Sequence, residues 1–178
     1  MSERDRPQPV IGVVGWKDNG KTVLVVRLVE HLTARGLTVS TVKHAHHSVD
    51  PDQPGKDSRR HRDAGAREVM LATSSRFVLF HDHGGEGEPP LDALLARMAP
   101  VDLVVVEGFK RFPHPKIEAH RATRGTPLLA REDPSIIAVA SDEPLDGLGV
   151  PVLELDDIEG IAGLILARLE LRPTASPD

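Results

Sequence analysis

Residues 15–22 carry a glycine-rich pattern whose chemistry is the binding of phosphate groups. They read G-W-K-D-N-G-K-T and fit the spacing G-x-x-x-x-G-K-[ST], in which backbone N–H groups point inward to phosphate oxygens. Lys21 would reach the terminal phosphates, and the Thr22 hydroxyl would hold a magnesium ion. A glycine-rich turn between two elements is the structural alternative. The predicted nucleotide-binding residues are Gly15, Trp16, Lys17, Asp18, Asn19, Gly20, Lys21, Thr22 and Val23.

Two carboxylates, Asp102 and Glu107, stand near opposite ends of the apolar run V-D-L-V-V-V-E, which predicts a buried strand. Five residues at about 3.3 Å each place them about 16 Å apart. Ligands of open α/β sheets bind beyond the carboxyl ends of the strands, so only Glu107 can reach the phosphates if this strand is parallel to the first. Asp102 is expected to be a capping or surface residue at the far edge.

Glu107 is therefore the predicted catalytic residue and, together with Thr22, a predicted metal ligand. Its carboxylate would bind magnesium through water or orient an attacking water molecule. The alternative is a strand-end carboxylate in a salt bridge with Lys110 or Arg111.

A basic cluster follows the second predicted strand in the sequence K-H-A-H-H. By the same strand-end rule it faces the ligand crevice, and Lys43 and His44 are predicted to contact phosphate or substrate. His46 and His47 complete the cluster. Neighbouring loop histidines rarely make a full metal site, and no thiolate is available to complete one. Solvated loop histidines are the alternative.

The segment at residues 55–62 reads G-K-D-S-R-R-H-R and is densely basic. Asp57, Ser58 and Arg60 are predicted to contribute to an anion site, because some of these side chains can clamp an anionic ligand while others face solvent. On composition alone, an ordinary solvated helix is equally compatible. The adjacent long loop favours a functional role.

Asp142 follows the strand predicted at residues 136–140, in the sequence A-S-D. A carboxylate there could accept hydrogen bonds from the N1–H and N2–H₂ groups of guanine. Adenine lacks that pair of donors, so one aspartate can select the base. Helix capping by Asp142 is an equal alternative on the sequence alone.

The elements that must position these residues alternate between strands and helices. Apolar runs predict strands at residues 10–14, 37–43, 68–72, 77–80, 101–106, 116–120, 136–140 and 151–155. Helical spacing predicts helices from the glycine loop to residues 35–36, at 56–66, at 91–98, and from Asp156 or Asp157 onward. The last helix is expected to bury Ile158, Ile161, Ala162, Ile165 and Leu169.

This order predicts an α/β fold of the P-loop NTPase class, a mostly parallel sheet with helices on both faces. The hairpin at residues 68–80 is an insertion that a simple doubly wound sheet does not explain. We expect one nucleotide-binding domain at residues 9–171, with flexible tails at residues 1–8 and 172–178.

The composition excludes several classes of function. The chain has 178 residues, a net charge of −5 and no cysteine. Because the net charge is negative, no overall positive potential favours the binding of nucleic acid. Because cysteine is absent, disulfides, thiolate zinc sites and cysteine nucleophiles are excluded. No apolar stretch approaches the ~20 residues of a membrane span, and the polar start lacks a signal core. The expected location is the cytoplasm.

Together, these segments resemble the MobB family, the GTP-binding adaptors of molybdopterin-guanine dinucleotide synthesis. The similarity runs from about residue 9 to residue 169, and the ordered set of segments is more specific than the glycine loop alone. Val23 stands where the family's loops usually carry a second threonine. Besides the glycine loop, the matching segments are V-K-H-A-H-H at 42–47, P-G-K-D-S-R-R-H-R-D-A-G-A at 54–66, D-L-V-V-V-E-G-F-K at 102–110, P-K-I-E at 115–118 and A-V-A-S-D at 138–142.

The resemblance implies that the chain binds GTP with Mg²⁺, hydrolyses GTP weakly, and assists a MobA-type guanylyltransferase that joins GMP to molybdopterin. It also implies a homodimer with an extended sheet. Carried over, the residues that bind nucleotide phosphate and magnesium would be Gly15, Gly20, Lys21 and Thr22. The crevice would be lined by Lys43, His44 and residues 57–60, and Glu107 would end the acidic strand.

Two other functions stay open on the sequence alone. A metal-insertion GTPase of the urease or hydrogenase maturation kind would combine the P-loop with the nine histidines. Such proteins tend to hold metal with a Cys-x-His type of site, which this chain lacks. A P-loop kinase for a small metabolite would explain the glycine loop, but neither G-K-D-S nor V-E-G-F-K. The adaptor, at most a weak GTPase, is the leading hypothesis.

Overall fold

The computed structural model describes residues 8–45 and 57–173, so His46 and His47 lie outside the described residues. The chain forms two compact units: the first runs up to His44 and resumes at Met98, and the second lies between them in sequence. The single domain expected at residues 9–171 stays a prediction.

The predicted strands and helices are present, with small differences at their ends. The strands are β1 (Val10–Val14), β2 (Val39–Lys43), β3 (Glu68–Ala72), β4 (Phe77–His81), β5 (Leu103–Glu107), β6 (Lys116–His120), β7 (Ile136–Ser141) and β8 (Val152–Glu154). The α-helices are α1 (Lys21–Ala34), α2 (Asp57–Asp63), α3 (Leu91–Leu95) and α4 (Ile158–Arg168), and short 3-10 helices form at Ala122–Arg124 and Leu129–Arg131.

Six strands of the first unit form one parallel sheet in the order β2-β5-β1-β6-β7-β8. Parallel pairing brings the carboxyl ends of the strands to one edge of the sheet. In the register of β5, Glu107 lies opposite Val13 of β1 on one side and Lys43 of β2 on the other. The α/β fold with a mostly parallel sheet and a separate hairpin is therefore confirmed.

Helices α1 and α4 pack against each other, and α1 also packs against β1, β2 and β5. Leu24, Leu28 and Leu32 recur every four residues along α1 and are buried in this core, as an amphipathic helix requires. Every residue of β5 is buried, as expected for a strand inside a parallel sheet. The start of α1 is thereby held firmly at the carboxyl end of β1.

The end of α1 and the start of β5 meet at the opposite edge of the sheet. The Thr38 backbone N–H and hydroxyl donate to Asp102 Oδ2 at 2.7 and 2.6 Å. These hydrogen bonds lower the pKa of Asp102 below its usual value. The capping role predicted for Asp102 is confirmed, and the capped turn explains why β2 starts at Val39 rather than at residue 37.

Helix α4 begins as one of the two predicted caps requires. The Gly160 N–H donates to Asp157 Oδ1 at 2.9 Å, whereas Asp156 forms an ion pair with Arg27 of α1. One prediction about its buried face was wrong, because Leu169 is the capping residue after the last turn and is only partly buried. Leu166 takes the buried place instead.

The second unit contains α2, α3 and the antiparallel hairpin of β3 and β4. Its turn is closed by Thr73, whose hydroxyl donates to the Arg76 carbonyl oxygen at 2.9 Å. The hairpin carries large apolar side chains that are exposed to solvent, at Met70, Leu71, Phe77, Val78 and Leu79. A two-stranded hairpin is marginally stable alone, and exposed apolar side chains grouped on one element are typical of interaction surfaces.

Candidate functional site

The glycine loop joins β1 to α1 at the carboxyl edge of the parallel sheet. Gly15 has φ +144°, and a Cβ there would lie 2.4 Å from the carbonyl oxygen of Ala119 on β6. Gly20 has φ +91°, in the left-handed region, immediately before α1. Side chains would clash or be strained at both positions, which explains why the pattern demands glycine at each.

The interior of the loop is tied to the chain that follows β6. Asn19 is fully buried; its Oδ1 accepts from the Arg121 N–H at 2.7 Å and its Nδ2 donates to Thr126 Oγ1 at 3.1 Å. Trp16 Nε1 donates to the Pro127 carbonyl oxygen at 2.8 Å. The side chains of Asn19 and Trp16 therefore shape the loop through long-range hydrogen bonds. Their contribution to nucleotide binding would come from the backbone.

Lys21, the first residue of α1, arches back over the loop. Its Nζ donates to the Trp16 carbonyl oxygen at 2.7 Å. Partial burial lowers the pKa of Lys21, and the nearby Lys43 ammonium lowers it further, while the carboxylates of Glu107 and Asp18 oppose the shift. An ammonium held over a glycine-rich loop is suited to bind phosphate oxygens.

Three side chains converge beside Lys21 although they come from three separate elements. The Thr22 hydroxyl donates to Glu107 Oε1 at 2.8 Å. Lys43 Nζ lies 3.1 Å from the same carboxylate oxygen and 3.3 Å from Thr22 Oγ1. The salt bridge proposed as the alternative role of Glu107 does exist, but its partner is Lys43 rather than Lys110 or Arg111. We call these three residues the Thr22–Glu107–Lys43 cluster.

The Thr22–Glu107–Lys43 cluster fits a magnesium ion by its donor chemistry. Magnesium prefers hard oxygen ligands, and a hydroxyl and a carboxylate oxygen already lie side by side here. The same pair of oxygens attracts the Lys43 ammonium, which shows that this point favours positive charge. Thr22 and Glu107 would hold the ion, whose chemistry when bound is the neutralisation of phosphate charge.

A further cation, Lys110, is brought to the loop by the turn after β5. Phe109 has φ +49°, unusual for a non-glycine residue, and is buried with its ring 4.5 Å from His44 and 5.2 Å from Phe112. The turn carries Lys110 Nζ to 4.2 Å from the centre of the Trp16 ring. Burial lowers the pKa of Lys110, and repulsion from Lys21 adds to this shift.

Comparison with known proteins identifies the family. Residues 10–142 match the family MobB, described as molybdopterin guanine dinucleotide synthesis protein B. The chain belongs to the MobB family. Its relatives include the molybdopterin-guanine dinucleotide biosynthesis adapter protein of Escherichia coli (strain K12), 39% identical over 161 residues that cover 89% of this chain and 91% of the relative. The protein of the same name from Haemophilus influenzae is 37% identical and covers 88% and 87%, respectively.

Solved MobB structures share the fold. A crystal structure of molybdopterin-guanine biosynthesis protein B has a TM-score of 0.72 with 29% identity, covering 90% of this chain and 99% of the other. The MobB homologue from Bacillus stearothermophilus has a TM-score of 0.67 with 29% identity and covers 92% and 99%. The resemblance inferred from the ordered sequence segments is thus confirmed.

Asp142 of this MobB chain already has protein partners. Its Oδ1 accepts from the Ala122 N–H at 2.9 Å, at the start of a 3-10 helix, and its Oδ2 lies 3.6 Å from Arg121 Nη1. The capping alternative is therefore present in the structure. Selection of guanine by Asp142 stays a prediction, and it requires the carboxylate to accept from the base while Arg121 and Ala122 orient it.

The other predicted substrate contacts are divided between the two units. His44, in the first unit, continues the ladder of β2, since its N–H donates to the Glu107 carbonyl oxygen at 2.9 Å. Asp57, Ser58 and Arg60 lie on α2 in the second unit, where Asp57 and Arg60 form an exposed ion pair at 3.7 Å. Their anion-binding role stays a prediction.

Sequence reasoning missed two buried charged residues of β6. They anchor residues 129–133, which continue the chain segment that binds the glycine loop. Glu118 accepts from the N–H groups of Leu129 and Ala130 at 2.9 and 2.8 Å and so caps a 3-10 helix. Lys116 donates to Asp133 Oδ2 at 2.9 Å. Both charges belong to the P-K-I-E segment, one of the segments that carry the family resemblance. The alternation of charged with apolar residues in a predicted strand was the signal that could have found them.

Within residues 8–45 and 57–173, no group of three or more histidine, cysteine, aspartate or glutamate side chains could hold a metal ion. None of the described helices is long and apolar enough to cross a membrane.

Proposed function

We propose that this chain binds GTP with Mg²⁺ on its glycine loop and acts as an adaptor in molybdopterin-guanine dinucleotide biosynthesis. The observation that carries the proposal is the 2.8 Å hydrogen bond between Thr22 and Glu107, at the carboxyl edge of the sheet and beside the loop. It unites the two oxygens that a nucleotide-bound magnesium ion needs. The names of relatives that cover most of this chain support the biosynthetic role.

In this proposal the nucleotide's charge is met by three kinds of group. Backbone N–H groups of residues 15–23 bind phosphate oxygens, Lys21 binds the terminal phosphates, and Thr22 and Glu107 hold magnesium. Hydrolysis is slow, because the Glu107 carboxylate also serves Thr22 and the metal ion, so it orients water but is not free to act as a strong base. The chain acts in the cytoplasm, and its partner is a MobA-type guanylyltransferase that handles molybdopterin.

Neither alternative function gains support. The relatives are named as adapter proteins of one pathway, rather than as metal-insertion proteins or kinases. The ammonium groups of Lys21, Lys43 and Lys110 near the loop suit an anionic nucleotide better than a transition metal ion.

The choice of base is tested by comparing GTP with ATP. With Mg²⁺, we expect the parent to prefer GTP by about 10- to 100-fold, since a hydrogen bond to a charged group contributes about 1.5–3 kcal/mol. Asp142→Ala should remove most of this preference. The measurement is calorimetric titration of each nucleotide.

Asp142→Asn is the matched control for that experiment. It keeps an oxygen that can accept from the Ala122 N–H but removes the charge that pairs with guanine and Arg121. It should therefore keep the stability of the parent while losing base preference. Equal affinities for GTP and ATP in the parent would reject guanine selection.

We further propose that the hairpin of β3 and β4 pairs with the same hairpin of a second copy. Met70 lies opposite Leu79, and Phe77, two residues before Leu79, lies on the same face of the hairpin; all three side chains are exposed. In a two-fold dimer, a surface patch contacts the same patch of the partner, so the apolar face of one hairpin covers that of the other. The outer edges of β3 and β4 can also pair with a further strand and extend the two-stranded sheet.

Charge on the hairpin tests the dimer. Leu79→Glu should weaken self-association at least about tenfold, because a buried, unpaired carboxylate opposes burial of the patch. Ser75→Glu adds the same charge at the turn and should leave the dimer intact. The measurement is sedimentation equilibrium over a range of protein concentrations, and a parent that is monomeric throughout would contradict the proposal.

A further inference from the structure

Lys43 is the member of the Thr22–Glu107–Lys43 cluster that magnesium binding does not explain. Its ammonium lies 3.1 Å from Glu107 Oε1 and 3.3 Å from Thr22 Oγ1, bridging the two oxygens proposed to hold the metal. An ammonium is a compact cation with three donors, so it satisfies such a pair of acceptors well.

We propose that Lys43 is a built-in cation that competes with magnesium for Thr22 and Glu107 and must withdraw when the metal binds. The inference rests on the proposed binding of GTP and Mg²⁺, and it assigns Lys43 a role other than contact with phosphate. Magnesium takes its ligands at about 2.0–2.1 Å, so it and the ammonium cannot share the same two oxygens. Two cations this close would also repel each other.

The position of Lys43 allows it to leave. Lys43 is the last residue of β2, an outermost strand of the sheet, and its side chain is 59% exposed. A cavity of about 320 Å³ opens beside the cluster between β2 and α1. Its lining residues include Val26 and Val29, which suit the aliphatic stem of Lys43, and the acidic residue Glu30.

Competition by Lys43 gives the site a useful property. While Lys43 bridges them, Thr22 and Glu107 stay oriented and the Glu107 charge is neutralised, so an incoming triphosphate meets no unpaired carboxylate. Magnesium alone displaces Lys43 poorly, because two protein oxygens offer few of its six ligands. Magnesium that arrives with a triphosphate brings phosphate oxygens as additional ligands and displaces Lys43 more easily. The device therefore favours loading of the metal together with the nucleotide.

The test compares the full-length parent with Lys43→Met, which keeps the length of the side chain and removes its charge. The affinity for a non-hydrolysable GTP analogue is measured by fluorescence of Trp16, the single tryptophan of the chain, in EDTA and in Mg²⁺. Binding of Mn²⁺, as a magnetic stand-in for Mg²⁺, is counted by electron paramagnetic resonance with the analogue present. These readouts do not depend on hydrolysis.

The inference predicts effects of opposite sign. In EDTA, Lys43→Met should weaken analogue binding about three- to tenfold, because the Glu107 carboxylate then repels the phosphates, a magnitude typical of a partly exposed charge pair. With the metal, analogue binding should be unchanged or tighter, and Mn²⁺ should bind about three- to tenfold more tightly. Lys43→Arg should behave like the parent, and Arg111→Met controls for the loss of one positive charge nearby.

Each other outcome decides against the inference. Equal weakening in EDTA and in Mg²⁺ would make Lys43 a phosphate contact, and no change in either condition would make it a bystander. Unchanged or weaker Mn²⁺ binding would show that Lys43 does not compete. A parent that binds the analogue in neither condition would instead refute the proposed nucleotide site, so the two failures are distinguishable.

Discussion

Replacing Lys21 by alanine should abolish binding of nucleoside triphosphates, with a loss of affinity of at least about 100-fold. Lys21 is held 2.7 Å from the Trp16 carbonyl oxygen over the loop, where its ammonium would meet the terminal phosphates of the proposed nucleotide. Charge-assisted hydrogen bonds contribute about 1.5–3 kcal/mol each, and two of them account for this factor. Calorimetric titration with a non-hydrolysable GTP analogue and Mg²⁺ measures the loss.

The Lys21→Ala experiment needs a fold control and a charge control. Lys21 donates a hydrogen bond to Trp16 within the same loop and is partly exposed, so circular dichroism and the melting temperature should match those of the parent. Arg111→Ala removes the same charge from the turn region and should change affinity less than about threefold. Parent-like affinity of Lys21→Ala would refute phosphate binding by this loop.

The glycine loop was predictable because its rule is local. The pattern fixes two glycines and a lysine within eight residues, and the structure shows why: a side chain at Gly15 would strike β6, and Gly20 has a left-handed backbone. The position of Glu107 was equally accessible, since a parallel strand has a defined carboxyl end. These inferences needed the direction of a strand but no side-chain contact.

Contacts between residues distant in sequence were beyond the same reasoning. Asn19 fits the loop pattern, yet its side chain serves Arg121 and Thr126, more than a hundred residues away. The partner of Glu107 was expected among its sequence neighbours, but strand order places Lys43 of β2 beside it. The sequence shows which strand ends in a charged residue, whereas the order of strands in the sheet determines which charged residues lie side by side.

The ends of strands and helices were predicted less accurately for a related reason. Residues 37–43 have the composition of a strand throughout, but β2 starts at Val39 because the Thr38 N–H and hydroxyl donate hydrogen bonds to the Asp102 carboxylate. Leu169 continues the apolar spacing of α4, yet the helix has ended by that residue. Periodicity shows which residues suit an element, and a cap from elsewhere in the chain determines where the element stops.

Glu107→Gln should lower magnesium-dependent GTP hydrolysis about 10- to 100-fold while changing GTP affinity in EDTA less than about fivefold. Glutamine keeps an oxygen that can accept from Thr22, but it removes the charge that we propose attracts the metal and orients water. Single-turnover release of labelled phosphate and a Mg²⁺ titration measure the two quantities, and half-saturation should need about tenfold more Mg²⁺.

Asp102→Asn is the matched control for Glu107→Gln, because it makes the same chemical change next to the start of the same strand. Asp102 lies about 16 Å from Glu107 along that strand, beyond the Debye length of about 8 Å at physiological salt. Because Asp102 accepts hydrogen bonds from Thr38, Asp102→Asn should lower the stability of the fold. The turnover of this variant per folded molecule should equal that of the parent. Unchanged turnover in Glu107→Gln, or an equal decrease in both variants, would remove Glu107 from the reaction. Loss confined to Glu107→Gln would place the chemistry at the carboxyl edge of the sheet, where the loop and the Thr22–Glu107–Lys43 cluster meet.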